Sequence, residues 1–255
     1  MNAIKSHAMS NGNCWAPNPE KLELADDEIH VWRVYLDCEE RQLDRFESTF
    51  GPDERARANR FLLRRDRHGF VVTRGVLREL LGRYLNRTPA DLEFDYSPQG
   101  KPFLRAEFLK RPIQFNVSHS HGLALLAFTM RRNLGVDVEF VRPDFAAYGI
   151  AERYFSPLEV MELRALPPPL RAEGFFLCWT RKEAYVKARG EGLQLPLETF
   201  QVSLTPGQPE QLRGGDSLRW RLCSLRPDPR YAGALVGEGQ DWRPSYWDWK
   251  PLERA

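Results

Sequence analysis

The chain has 255 residues, of which 42% are hydrophobic and 28% charged, with a formal net charge of +2. That balance describes a globular protein able to bury a sizeable core, and it lacks the strong positive field that draws a protein to nucleic acid or a membrane surface. No apolar run is long enough to span a bilayer, the start does not read as a signal peptide, and Cys14, Cys38, Cys178 and Cys223 show no C-x-x-C spacing, so the expectation is a cytoplasmic protein with free thiols and no zinc.

Residues 1–28 are rich in Asn, Pro and Lys and read as irregular. Ile29 to Leu36 alternates as a strand. Asp53 to Leu85 is helical, broken in its first half, arginine-rich, and stopped before Arg87-Thr88-Pro89. Strands are predicted around Leu92–Tyr96, Ile113–Val117, Leu123–Met130 and Leu134–Phe140, with Arg131-Arg132-Asn133 as a hairpin turn between the last two. The chain divides near Arg142-Pro143. Helices follow at Ile150–Phe155, Pro157–Leu166 and Leu170–Ala188, the last two separated by Pro167-Pro168-Pro169. Thr199–Leu204, Leu218–Leu225 and Tyr231–Val236 read as strands. The organisation is thus an α+β half over 29–142, a second over 143–240, and a tail over 241–255 whose Trp242, Trp247 and Trp249 pack it back onto the body.

Two motifs carry chemistry. In Gly135-Val136-Asp137-Val138-Glu139, a period of two puts Asp137 and Glu139 on one strand face, ~7 Å apart, within reach of one hard cation. A half-buried edge strand with a solvated acidic face has the same pattern. In Trp179-Thr180-Arg181-Lys182-Glu183-Ala184-Tyr185-Val186-Lys187, the helical period aligns Phe176, Trp179, Glu183 and Lys187 on one stripe, with Lys182 on its flank. An amphipathic helix with a surface Glu183–Lys187 ion pair would look alike. Together the motifs offer three carboxylates and two ammonium groups, a set suited to a divalent metal and a polyphosphate. His119 and His121 could suggest a metal pair, but no third ligand stands at a sensible spacing.

With Gly100-Lys101-Pro102 and Asn116-Val117-Ser118-His119-Ser120 before them and Gly190-Glu191-Gly192-Leu193 after, these motifs resemble the 4′-phosphopantetheinyl transferases, in particular the long, Sfp-like group. The match runs from about Asp53 to Phe200, and more loosely to Val236. The resemblance implies an α+β fold made of a pseudo-twofold pair of halves, each a helix on a small antiparallel sheet, with the ligand between them. It implies transfer of the phosphopantetheine arm of coenzyme A to a serine of acyl, polyketide or peptidyl carrier proteins, with release of adenosine 3′,5′-bisphosphate. Mg²⁺, or alternatively Mn²⁺, would be held by Asp137, Glu139 and Glu183, with Asp137, Glu183 and Lys187 as the catalytic set. Lys182 and Lys187 would face the phosphates, Ser118 and His119 would contact phosphate, and Gly100, Lys101 and Pro102 would lie against the adenine. Arg57 and Arg74 are the expected cations for the 3′-phosphate, although Glu54 stands where some relatives carry a lysine. The serine proton would go to Glu183 or to a water on the cation. Phe145, Tyr148 and Tyr154, rimmed by Arg142 and Arg153, are either a carrier-docking patch or core. A monomer acting without nucleic acid or membrane is expected. A metal-dependent hydrolase of coenzyme A or related pyrophosphates, and a non-catalytic nucleic-acid-binding module using the arginine helix, are the competing readings.

Overall fold

The computed structural model of the protein describes residues 13–98, 100–105, 112–145, 148–192 and 195–251. In chain order the elements are β1 (Ala16–Pro17), β2 (Glu28–Tyr35), α1 (Glu40–Ser48), α2 (Pro52–Ala58), α3 (Arg64–Leu85), β3 (Phe94–Tyr96), β4 (Pro102–Leu104), β5 (Ile113–Ser120), β6 (Leu123–Met130) and β7 (Leu134–Phe140). They continue as α4 (Tyr148–Tyr154), α5 (Pro157–Ala165), α6 (Pro168–Arg189), β8 (Gln201–Val202), β9 (Leu212–Arg213), β10 (Trp220–Leu225), β11 (Tyr231–Glu238) and β12 (Arg243–Asp248).

Alternation along the strands sets up four layers. In β2 and β6, Trp32, Val34, Leu126 and Phe128 point outward and bury against Val72, Val76 and Leu80 of α3. Ile29, Val31, Leu123, Leu125 and Ala127 point the other way, onto Leu134, Val136, Val138 and Leu235 of a second sheet. That sheet's far face carries Ala232, Ala234 and Val236 against Ala184, Tyr185 and Ala188 of α6. The order is helix, sheet, sheet, helix, and each covering helix is 22 residues long. Both end on a residue in the left-handed region, Asn86 at φ 52 and Gly190 at φ 71, a common helix stop. Among the described residues no helix is long and apolar enough to cross a membrane.

The first sheet runs β1-β12-β2-β6-β5 and the second β10-β11-β7. Three expectations change here. The first sheet is mixed, not antiparallel, because β12 pairs parallel with both β2 and β1. The tail beyond residue 240 is not merely packed on; it supplies β12, with Trp242 and Trp249 buried. The Arg131-Arg132-Asn133 joint is not a hairpin turn: β7 leaves the sheet of β6 and pairs antiparallel with β11. Its aliphatic residues are buried better on the inner face of the first sheet than they would be at its edge.

Candidate active site

β5 ends the first sheet and β7 ends the second. The two edges meet at a seam joined by side chains instead of a backbone ladder. Asn116 Oδ1 accepts from the Val136 N–H at 2.8 Å, and Ser120 Oγ accepts from the Phe140 N–H at 3.2 Å. Lys187 Nζ donates to the Val136 carbonyl at 3.3 Å, and Lys101 Nζ to that of Leu134 at 3.4 Å. A buried edge group left unpaired costs about 1–3 kcal/mol, so these side chains stand in for a missing strand. The N-V-S-H-S, G-K-P and K-E-x-x-x-K pieces therefore converge on the open edge of β7.

The same residues orient the carboxylates. Ser118 Oγ donates to Asp137 Oδ1 at 2.7 Å, and Ser120 Oγ to Glu139 Oε2 at 2.7 Å. Lys187 Nζ lies 2.6 Å from Asp137 Oδ1. Gly135 makes this geometry possible. A Cβ there would stand 2.1 Å from the Ala184 carbonyl oxygen and 2.5 Å from the Ala188 nitrogen, so only glycine lets α6 close onto β7.

Asp137 is buried, and its Oδ2 has no hydrogen-bond partner. Burial raises the Glu183 carboxyl above the ordinary carboxylate range, and the Asp137 and Glu139 charges add to this while Lys187 opposes it. Burial likewise raises Glu139, with Asp137 adding and the Ser120 hydrogen bond opposing. These carboxylates are oxygen donors of the kind a hard divalent cation takes, and the orphaned buried Oδ2 of Asp137 is the atom such a cation would satisfy. Among the described residues, however, no group of three His, Cys, Asp or Glu side chains is already drawn together as a metal cage.

Beside the seam a cavity of about 690 Å³ opens between the halves. Of the residues singled out from the sequence, Arg57, Arg74, Gly100, Lys101, Pro102, His119, Glu183 and Lys187 line it. Gly100, at φ +80, closes the β3–β4 turn with its N–H on the Ser97 carbonyl. Burial, followed by the neighbouring Lys187 charge, pushes Lys101 down to about 8, and its ammonium bonds the Lys187 carbonyl at 3.1 Å. Ser118 lies in the seam, on Asp137, and is not among the residues that line the cavity.

Lys182 corrects the sequence reading. It is fully buried, 2.8 Å from Glu159 and 2.7 Å from the carbonyls of Leu197 and Phe200, and it does not reach the cavity. Its position on the flank of the helical stripe was right; the flank faces the core of its own half. Glu54, the misfit residue, is buried as the counter-ion of Arg78 and Arg74. Arg74 Nη1 and Thr73 Oγ1 are buried on the cavity wall without partners. Phe145 is partly buried against Phe175 and Phe176, at ring separations of 5.0 and 5.2 Å, and so sides with the core alternative. Arg153 and Tyr154 line the cavity, and the Tyr148 side chain lies outside the described residues. The sequence reading did not assign roles to Asn116, Ser120, Thr73 or the Leu195–Glu198 wall. The alternation of polar residues in N-V-S-H-S was the available signal for the first two.

Residues 133–236 match the 4′-phosphopantetheinyl transferase superfamily, and residues 37–131 match the family described as 4′-phosphopantetheinyl transferase, N-terminal. The chain is 41% identical to 4′-phosphopantetheinyl transferase HetI of Nostoc sp. over 91% of its length and 97% of that protein. It is 30% identical to a 4′-phosphopantetheinyl transferase of Bacillus subtilis, over 69% of this chain and 77% of that one. Identity to the transferase Sfp of Bacillus subtilis strain 168 is 29% over the same shares. With both halves matched in order and the motif pieces meeting at one seam, this chain belongs to the 4′-phosphopantetheinyl transferase family, in its long, Sfp-like group.

Proposed function

We propose that this enzyme acts as a monomer, moving the phosphopantetheine arm of coenzyme A onto a serine of acyl, polyketide or peptidyl carrier proteins. The observation that carries the reading is the seam, where Asp137, Glu139, Glu183 and Lys187 stand beside a cavity lined by both halves of one chain. The cavity volume is within the range of small-molecule and cofactor sites.

In the proposed reaction, the serine oxygen attacks the phosphorus that bears the arm. The bond to the other phosphate breaks, and adenosine 3′,5′-bisphosphate leaves. Lys187 supplies positive charge where the pyrophosphate gains negative charge. The serine proton goes to Glu183 or to a water on the cation: burial favours the proton on Glu183, and a bound cation would oppose it. Asp137 Oδ2, Glu139 and Glu183 would hold Mg²⁺, which when bound neutralises pyrophosphate oxygens as a Lewis acid. The spectator 3′-phosphate falls to cations away from the seam, Arg57 and Arg74, with His119 beside them.

The test is the intact mass of several apo carrier proteins after incubation with the enzyme, Mg²⁺ and coenzyme A. A gain of one phosphopantetheine arm is expected. Coenzyme A cleavage that proceeds without any carrier would replace the transfer reading with hydrolysis.

A further inference from the structure

Lys182 belongs to the motif that supplies Glu183 and Lys187, yet its ammonium is turned into the core. All three of its protons have acceptors: Glu159 Oε2, the Leu197 carbonyl and the Phe200 carbonyl. The Phe200 ring centroid is 4.4 Å from Nζ. Glu159 is equally committed. Its Oε2 also accepts from the Ser156 N–H at 2.8 Å, capping α5, and its Oε1 accepts from the Val202 N–H at 2.7 Å, at the end of β8.

The two carbonyls that Lys182 binds bracket a single 3-10 turn, Leu197–Thr199. Leu195, Pro196, Leu197 and Glu198 form one wall of the cavity. The wall's own backbone bonds are local, from the Leu195 N–H to Gly192 and from the Thr199 N–H to Pro196. Lys182 ties this turn to α6, one residue from Glu183, and Glu159 ties the following strand to α5. We propose that Lys182 and Glu159 are positioning residues, a buried clamp that sets the Leu195–Glu198 wall against the α6 face carrying Glu183 and Lys187. The proposal rests on the reading that this cavity takes coenzyme A. It gives a motif lysine a role in ligand binding without contact with the ligand.

Removing one partner would leave a buried charge, whereas replacing both is often close to neutral for stability. The test is therefore the double variant Lys182→Met with Glu159→Gln. Hydrogen exchange of residues 195–200 in the ligand-free protein should rise at least about tenfold while α6 stays protected. The dissociation constant and KM for coenzyme A should rise about tenfold, with kcat at saturation changed by less than about threefold. Unchanged exchange at 195–200 overturns the clamp. So does a loss of kcat at unchanged KM, which would return the ammonium to the reacting phosphates. If the double variant does not fold, Glu159→Asp, which shortens the pair by one methylene, is read against the same outcomes. Exchange is measured without ligand, and titration of the wild-type protein with coenzyme A separately decides whether the cavity takes that substrate.

Discussion

Asp137 has one oxygen bound by both Ser118 and Lys187 and one bound by nothing. That asymmetry separates its two jobs. Asp137→Asn keeps the shape and removes the charge, and should lower transfer by ~10²–10³-fold at saturating Mg²⁺ with the fold intact. Asp137→Ala should also lose about 1–3 kcal/mol in chemical denaturation, because it strips Lys187 of its counter-ion. Near-normal turnover of the asparagine variant would remove the metal-site proposal. Glu183 predicts a trade of stability against function. Its pKa is raised in the fold, so the folded state binds the proton more tightly than the unfolded chain does. The penalty is absent below the ordinary value of 4.5 and grows as pH rises through the raised value. In the absence of metal, Glu183→Gln should therefore melt a few °C higher than wild type at pH 7, with the gap closing toward pH 4.5, and should lack transfer activity. A melting gap that does not change with pH would contradict this account. Arg74 tests the far end of the ligand. Two guanidinium groups share the Glu54 carboxylate, and Arg74 Nη1 is left open on the cavity wall. Arg74→Met should raise KM for coenzyme A by ~10–100-fold, the worth of a charged hydrogen bond, with much less effect on dephospho-coenzyme A. Equal losses with both substrates would place Arg74 away from the 3′-phosphate.

The contact between α6 and β7 is the element-scale counterpart of that site. Gly135 lets the helix backbone touch the strand, and Lys187 reaches Asp137 only because it does. Gly135→Ala should cost at least about 1–3 kcal/mol by overpacking, and transfer should fall more than stability alone explains. The measurements are a denaturation curve and kcat under conditions where the variant is fully folded. Full turnover by a folded Gly135→Ala variant would show that the close approach is not needed for chemistry. At this scale the sequence was readable where periodicity was strong. The helical stretch expected over Asp53–Leu85, broken in its first half, is observed as α2 and α3, and α5, α6, β2, β6 and β7 were expected near their observed bounds. α1 was missed because, within Glu40–Ser48, only Leu43 and Phe46 are apolar. β1, β4 and β9 are two or three residues long, too short to show a period, and of the strand expected at Thr199–Leu204 only Gln201–Val202 forms.

Taken whole, the molecule is held together by a strand from the wrong end of the chain. β12 crosses back to pair with β2, burying Trp242 in the inter-sheet core and Trp249 in the first core. No residue lining the proposed site lies beyond Glu198, yet a chain ending at Gln240 should lose most of its folded yield and melt far lower. It would expose the edge of β2 along with two tryptophan-sized holes, each worth about 3–5 kcal/mol. Thermal melting of the truncated chain beside Trp242→Ala and Trp249→Ala checks this. A truncation that melts like the full chain would reduce β12 to an ornament.

The α+β class was legible from periodicity and the family from the resemblance of its motifs, and the proposal that Asp137, Glu139, Glu183 and Lys187 serve the chemistry rests on the few side-chain types that suit metal and phosphate. The sequence could not show that β7 changes sheets, that β12 lies parallel beside β2, or that Lys182 turns inward while Lys187 turns to the seam. Lys182 and Lys187 carry the same charge on the same helix. One is neutralised by Glu159 from α5 and the other by Asp137 from β7. Which side of a helix faces a ligand is decided by the partners that other segments deliver, and those partners are far away in the chain.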